Sequence, residues 1–171
     1  MKDRDAHRPD VRHDTIKSHL VDEERHDPYQ ARGKLSEPTV CPQCGAAFKQ
    51  GRWQWVDEKP DGAQSHLCPA CMRTNDKYPA GELTLRGAFA LQHAEEIRGL
   101  IRNVEDAEKR QHPLQRVMSI EQSDDSLVIK TTGIHLPRRL GHAIEHAYKG
   151  HLEIHYDERG YFVRMVWTRD T

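Results

Sequence analysis

Four cysteines occur in two Cys-x-x-Cys pairs, and this spacing is typical of metal binding. The pairs are separated by 23 residues, and each pair sits in a Cys-Pro-x-Cys turn. Two such turns supply four sulfur ligands, which form a closed tetrahedral shell suited to Zn²⁺. The sequence therefore predicts one zinc ion bound by Cys41, Cys44, Cys68 and Cys71. Unligated or redox-active dithiols are the alternative interpretation.

A complete sulfur shell leaves no position open for water, so we expect this zinc to be structural and not catalytic. Structural zinc contributes roughly 10 kcal/mol of binding free energy, enough to fold a short segment that has little core of its own. The sequence contains no nucleophile elbow, phosphate-binding glycine loop or paired acidic site. We therefore expect a protein that is not an enzyme, and we identify no small-molecule substrate.

Basic and aromatic residues follow the first cysteine pair. They are Lys49, Arg52, Trp53 and Trp55. Aromatic side chains beside lysine and arginine can stack on bases and contact phosphates. Alternatively, the tryptophans cover the small core of the zinc module, and we favour this structural role for at least one of them.

A second basic group lies in a predicted helix near the C-terminal end of the chain. It comprises Arg138, Arg139, His142 and His146. The two arginines, close to the helix start, could hold a phosphate with help from the free amides and positive field of a helix N-terminus. The two histidines are four residues apart, so one helix face could present both to a second metal. A solvated basic face is the other interpretation.

Apolar spacing predicts the elements that position these residues. An amphipathic helix is expected at 84–111, with His93 on its apolar stripe and with Gly87 and Gly99 as points of bending or early ending. The remaining predicted elements are strands at 114–122 and 126–132, a helix at 136–149, and strands at 151–157 and 161–168. The predicted fold class is α+β: a zinc-ribbon module followed by a helix-hairpin-helix-hairpin domain with a four-stranded antiparallel sheet and helices on one side.

Composition divides the chain into three parts. Residues 1–37 are highly charged and poor in aliphatic side chains, which predicts a disordered polar tail before the zinc-ribbon module at 38–80 and the α+β domain at 81–171. The formal net charge of −1 excludes a uniformly cationic nucleic-acid-binding protein, so polyanion binding would need local basic patches. The chain has no bilayer-spanning apolar run and no apolar segment that resembles a secretory signal, and we expect a cytoplasmic protein without a membrane partner.

Two family resemblances are carried by the cysteine motifs. The run CPACMRTNDKYPAGELTLRG, residues 68–87, resembles part of the N-terminal zinc region of the archaeal and eukaryotic adaptor for nuclear export of large ribosomal subunits. Over most of residues 37–168 the chain is similar to short uncharacterised bacterial zinc-ribbon proteins that open with CPxCGAxFxxGRW and continue with HPLxR, which here runs from His112 to Arg116. The second resemblance implies a zinc ribbon, and the first implies contact with the ribosome.

Two functional hypotheses follow from these observations. The first is a nonenzymatic zinc-binding protein that contacts RNA or the ribosome through its ribbon and its basic helix. The alternative is a protein-interaction adaptor in transcription or stress regulation, without direct nucleic-acid contact, which the near-neutral charge would suit.

Overall fold

The computed structural model describes residues 27–31 and 33–171, so the prediction of a polar tail for residues 1–26 lies outside the described residues. The described part of the chain contains four helices and nine strands arranged in two sheets. The helices are α1 Pro69–Asp76, α2 Ala88–Gln92, α3 Ala94–Gln111 and α4 His135–Tyr148. The strands are β1 Thr39–Val40, β2 Ala47–Lys49, β3 Arg52–Gln54, β4 Gln64–Ser65, β5 Gly81–Arg86, β6 Val117–Gln122, β7 Ser126–Thr131, β8 His151–Tyr156 and β9 Val163–Thr168.

The larger sheet has five strands in the order β6-β7-β5-β9-β8. The α+β class is confirmed, but the prediction of four antiparallel strands is wrong. Both predicted hairpins form, β6 with β7 and β8 with β9, and β5 lies between them. It pairs antiparallel with β7 and parallel with β9, so the sheet is mixed. Inserting β5 satisfies the backbone donors and acceptors that each hairpin would otherwise leave open on its inner edge.

Strand β5 was missed because its apolar residues also fit a helical period. Leu85 lies four residues before Phe89, so the pattern joins smoothly to the helix that follows. In the structure Leu83 and Leu85 are fully buried and the side chains between and beyond them point to the other face, which is a strand alternation. The predicted helix at 84–111 therefore begins too early, and its first residues belong to the sheet.

The remaining part of the predicted helix is divided into α2 and α3. His93 stands between them with φ −105° and ψ 21°, outside helical geometry at the point where the chain bends. Gly87 ends the strand at φ +102°, as expected for a glycine break, whereas Gly99 lies inside α3 without interrupting it. None of the helices in the described part of the chain is both long and apolar enough to cross a membrane.

One apolar core holds the sheet and helices α2, α3 and α4 together. The sheet contributes buried side chains from β5, β7 and β9, and the helices contribute theirs from the same side. Trp167 is the largest fully buried side chain, and its indole Nε1–H donates to the carbonyl oxygen of Lys149 at 2.7 Å. The polar side chains of β8, including His151 and His155, are exposed on the opposite face, as the alternation predicted.

The smaller sheet has the order β3-β2-β1-β4 and surrounds the cysteine pairs. Its strands are two or three residues long, too short to bury an apolar core of their own. Helix α1 follows β4 and begins at Pro69, directly after Cys68. We call residues 38–80 the cysteine module.

The chain that leads into the cysteine module is held by the buried side chain of Arg73 on α1. The Arg73 guanidinium donates to the Asp27 carboxylate at 2.6 Å and to the carbonyl oxygen of Tyr78 at 3.2 Å, and its Cζ lies 4.4 Å from the Tyr29 ring centroid. The Glu37 carboxylate accepts the two amides of the β2–β3 turn. These contacts place Asp27, Tyr29 and Glu37, from the described end of the predicted polar tail, against the module.

Replacing Gly87 should test the β5–α2 junction. A Cβ at this position would lie 2.1 Å from the carbonyl oxygen of Arg169, and a non-glycine residue at φ +102° is strained. We expect Gly87→Ala to lower the free energy of unfolding by about 3 kcal/mol, measured by urea denaturation with saturating zinc. Gly160→Ala is the matched control, because its φ is +74° in open space, and it should cost only about 1 kcal/mol. Equal losses in the two variants would contradict the predicted close contact.

Candidate metal centre and adjoining groove

The four cysteines come together at one point between β1, β2 and α1. Their sulfur atoms all lie within 4.8 Å of one another, with those of Cys44 and Cys68 3.8 Å apart. Cys41, Cys68 and Cys71 are buried and Cys44 is half-buried. Four converging thiols with no other ligand type form a metal-binding cluster whose donor set fits a zinc ion in a closed site. The arrangement is consistent with one structural metal ion.

The second cysteine pair forms the start of α1. Cys68 is the N-cap residue, and its sulfur accepts the backbone N–H of Cys71 at 3.4 Å. A sulfur atom thus takes the capping role that a serine or aspartate oxygen usually has. The Cys71 amide favours a thiolate at Cys68 and so offsets part of the cost of burying that charge.

The four thiols differ in their acidity. Burial alone would raise the pKa of Cys41, but surrounding backbone amides and the Cys44 thiol lower it to about 7. Burial raises the pKa of Cys68 well above its usual value, and it raises that of Cys71 despite a hydrogen bond from Arg116. These crowded thiols cannot all ionise unless a cation compensates them, which is the role a bound metal ion fills when it displaces the protons.

Arg116 is the cation nearest to the sulfur cluster. Its Nη1 donates to the sulfur of Cys71 at 3.3 Å, and its Nη2 donates to those of Cys44 at 3.2 Å and Cys68 at 3.7 Å. Burial alone would lower the pKa of Arg116, but the hydrogen bonds to Cys71 and Cys44 outweigh burial and raise the pKa above its usual value. The guanidinium therefore stays charged. The sequence places Arg116 in the HPLxR motif and predicts no role for it.

Apolar side chains close the cluster on its other sides. Trp53, Leu67 and Leu114 pack against the cysteines and are half-buried. Trp53 also meets Phe48 edge-on, with ring centroids 5.7 Å apart. The expected structural role for one tryptophan therefore agrees with the position of Trp53.

Trp55 lies just beyond the end of β3 and reaches across to the larger domain. Its indole Nε1–H donates to the carbonyl oxygen of Lys109, near the end of α3, at 2.7 Å. The guanidinium carbon of Arg116 lies 5.7 Å from the Trp55 ring centroid. Trp55 thus connects the cysteine module with the α+β domain.

A groove of about 1350 Å³ runs beside the metal cluster, between the cysteine module and the α+β domain. We define the groove by Arg52 and Trp53 of the module, Glu108 of α3, and Arg138, Arg139 and His142 of α4, all of which line it. These include five of the seven residues that the sequence suggested for nucleic-acid binding. Lys49 and His146 do not line the groove.

Positive charge predominates in this groove. Among the described residues its lining contains the cations Lys34, Arg52, Arg138 and Arg139 but only one carboxylate, Glu108. Glu108 is buried and forms an ion pair with Arg139 at 2.7 Å, so each neutralises the other. The remaining cations form no ion pair with any described residue. The groove is therefore cationic although the whole chain has a net charge of −1.

The start of α4 is less available than we expected for phosphate binding. The backbone N–H of Leu136 donates to the side-chain oxygen of Gln115 at 3.1 Å, which caps the helix from the neighbouring loop. Arg139 pairs with Glu108, whereas Arg138 forms no ion pair with any residue that the structure describes.

The histidines do not assemble a second metal site in the described part of the chain, where the cysteines form the group suited to one. His142 lies 3.7 Å from the Glu145 carboxylate, one turn along α4. His93 is half-buried, hydrogen-bonded to Glu96 at 3.3 Å and stacked on Phe89 with ring centroids 4.1 Å apart.

Comparison of the chain with protein-family models, with curated proteins and with solved structures gave no match. The two family resemblances noted in the sequence therefore stay predictions. Function has to be inferred from the geometry and charge of the metal cluster and the groove.

Metal removal should unfold the cysteine module and spare the larger core. The indole N–H signals of Trp53, Trp55 and Trp167 can be followed by ¹H–¹⁵N NMR during titration with a chelator. We expect the first two to move to unfolded positions, because the short strands have no sufficient core without the metal. The Trp167 signal should persist, because its hydrogen bond to Lys149 lies in the separate core.

The variant Cys68→Ala should reproduce the chelated spectrum and retain no stoichiometric zinc by elemental analysis. Loss of the Trp167 signal together with the other two would show that the two parts do not fold separately.

Proposed function

We propose that this protein is a nonenzymatic zinc-binding protein that binds single-stranded segments of RNA, free or within the ribosome, in the groove beside its metal cluster. The observation that carries the proposal is the convergence of Arg52 and Trp53 from the module with Arg138 from α4 on one groove. These residues are far apart in sequence, and folding brings them to the same surface.

Charge is the first support. Lys34, Arg52 and Arg138 lie in the groove without an acidic partner among the described residues, so their field is not cancelled locally. A concave surface with one sign of charge concentrates the opposite charge next to it. The near-neutral composition of the whole chain is therefore compatible with binding a polyanion at this one place.

Aromatic and apolar surface is the second support. Trp53 lines the groove and is half-buried, so part of its ring is available for stacking on a base. At about 1350 Å³ the groove exceeds the usual size of a small-molecule site, and it is a groove and not a closed cavity. Such a shape suits a short extended strand.

The metal cluster supports a binding role and not catalysis. Four sulfur ligands saturate a zinc ion, so no position remains for an activated water molecule or for a substrate carbonyl. The cluster instead stabilises the short strands that present Arg52 and Trp53. The resemblance of residues 68–87 to the ribosomal export adaptor points in the same direction and suggests the ribosome as the source of the RNA.

Salt dependence of binding should test the proposal. For a labelled oligouridylate of roughly 12 nucleotides, three phosphate contacts predict that log K falls against log salt with a slope of about −2, measured by fluorescence anisotropy. Arg52→Gln and Arg138→Gln should each reduce that slope by about 0.7, because each removes one phosphate contact. Both arginines are exposed, and both variants should retain zinc.

Arg164→Gln is the matched control, since Arg164 is an exposed arginine of β9 that pairs with Glu82 away from the groove. Its slope should equal that of the unmodified protein. An unchanged slope in the two groove variants would contradict RNA binding in this groove. Recovery from cells of a protein partner that survives nuclease treatment and is lost with Arg138→Gln would favour the adaptor hypothesis instead.

A further inference from the structure

The contacts between the cysteine module and the α+β domain are concentrated at Arg116. Its guanidinium donates to the sulfurs of Cys44, Cys68 and Cys71, two of which come from the second cysteine pair and one from the first. The planar fork of arginine can reach several acceptors at once, which the point charge of lysine cannot. One side chain of the larger domain therefore touches both halves of the metal cluster.

The backbone around Arg116 is anchored to the larger domain. The Arg116 amide donates to the Thr132 hydroxyl at 2.9 Å, and the Thr132 amide donates to the carbonyl oxygen of Arg116 at 2.9 Å. The Thr132 hydroxyl in turn donates to the carbonyl oxygen of Leu114 at 2.6 Å, and Arg116 Nε donates to that of Pro113 at 2.7 Å. Thr132 is buried, so the loop presents the guanidinium from a fixed base.

The charge of the sulfur cluster determines how strongly this contact holds. Four thiolates around one divalent ion carry a net charge of −2, and hydrogen bonds to charged acceptors are about twice as strong as neutral ones. A bound metal ion would also hold the four sulfurs together, and with them the three acceptors that the guanidinium reaches.

The two walls of the groove belong to the two parts that Arg116 connects. Arg52 and Trp53 lie on the module, and Arg138 lies on α4 of the larger domain. Further contacts across this junction are the Trp55–Lys109 hydrogen bond, the packing of Leu114 on the cysteines, and the backbone hydrogen bonds of Ala80 with Thr131 and Val163.

We infer that Arg116 is a positioning residue that docks the metal-loaded cysteine module onto the α+β domain, so that the groove is assembled only when the cluster holds its metal. The docking role is inferred from the contacts between Arg116 and the sulfurs and does not depend on RNA binding. The effect of docking on RNA binding rests on the proposed function. The availability of the metal would then control RNA binding in a groove whose lining contains none of the four cysteines.

The test compares Arg116→Met, Arg116→Lys and the control Arg164→Met in the full chain with saturating zinc. Arg116→Met should weaken metal binding roughly 10- to 100-fold in chelator competition, as expected when a partner of metal ligands is removed. Hydrogen exchange of the Trp55 indole N–H should become at least about fivefold faster, because undocking frees its bond to Lys109. Arg116→Lys should give intermediate values, and Arg164→Met should match the unmodified protein.

Oligouridylate affinity should fall in Arg116→Met although every groove cation is still present. Unchanged Trp55 exchange in Arg116→Met at saturating zinc would overturn the docking role. Faster exchange with unchanged RNA affinity would overturn the link between docking and the groove. If no form of the protein, including the unmodified one, binds the oligonucleotide, the proposed function fails while faster exchange in Arg116→Met would still support docking.

Discussion

The hydrogen bonds from Arg116 to three cysteine sulfurs are the interaction on which the arrangement of the two parts depends. Four sulfurs within 4.8 Å of one another concentrate negative charge in a buried place, and each thiolate needs compensation. A bound metal ion would supply most of it, backbone amides around Cys41 and in the first turn of α1 contribute, and a guanidinium from the other domain adds a positive charge. Neutralising the cluster and joining the two parts are therefore one event.

The groove is a product of that junction and not of either part alone. A hairpin of the small sheet provides one wall, and α3 and α4 of the larger domain provide the others. The Arg139–Glu108 ion pair connects α4 with α3. It also neutralises Glu108, the one carboxylate among the described residues that line the groove. A chain with almost no net charge can thus present a cationic surface. Acidic and basic residues are mixed along the sequence, but folding gathers the basic ones in the groove.

The parts of the structure that were predictable are those specified by local pattern. The clustering of the paired cysteines, both hairpins and α4 are confirmed. Their turn residues and their alternating or helical apolar spacing are compatible with few other structures. The sequence does not predict strand β5, because Leu83 and Leu85 fit both a helical and a strand repeat. This segment forms a strand because it pairs with β7 and β9, which lie far along the chain. Arg116 was missed for the same reason, since its sulfur partners lie 45 or more residues away.

Helix α1 serves two sides of the molecule through residues two positions apart. Cys71 faces the metal cluster, while Arg73 holds Asp27 and Tyr29, from which the chain runs along the groove through Gln30 and Leu35. Shortening the protein from its N-terminal end past Asp27 would thus remove the anchor of the segment that lines the groove at Gln30 and Leu35, while all four cysteines stay in the chain. The minimal fragment that retains the whole surface begins at or before this aspartate, well upstream of the first cysteine.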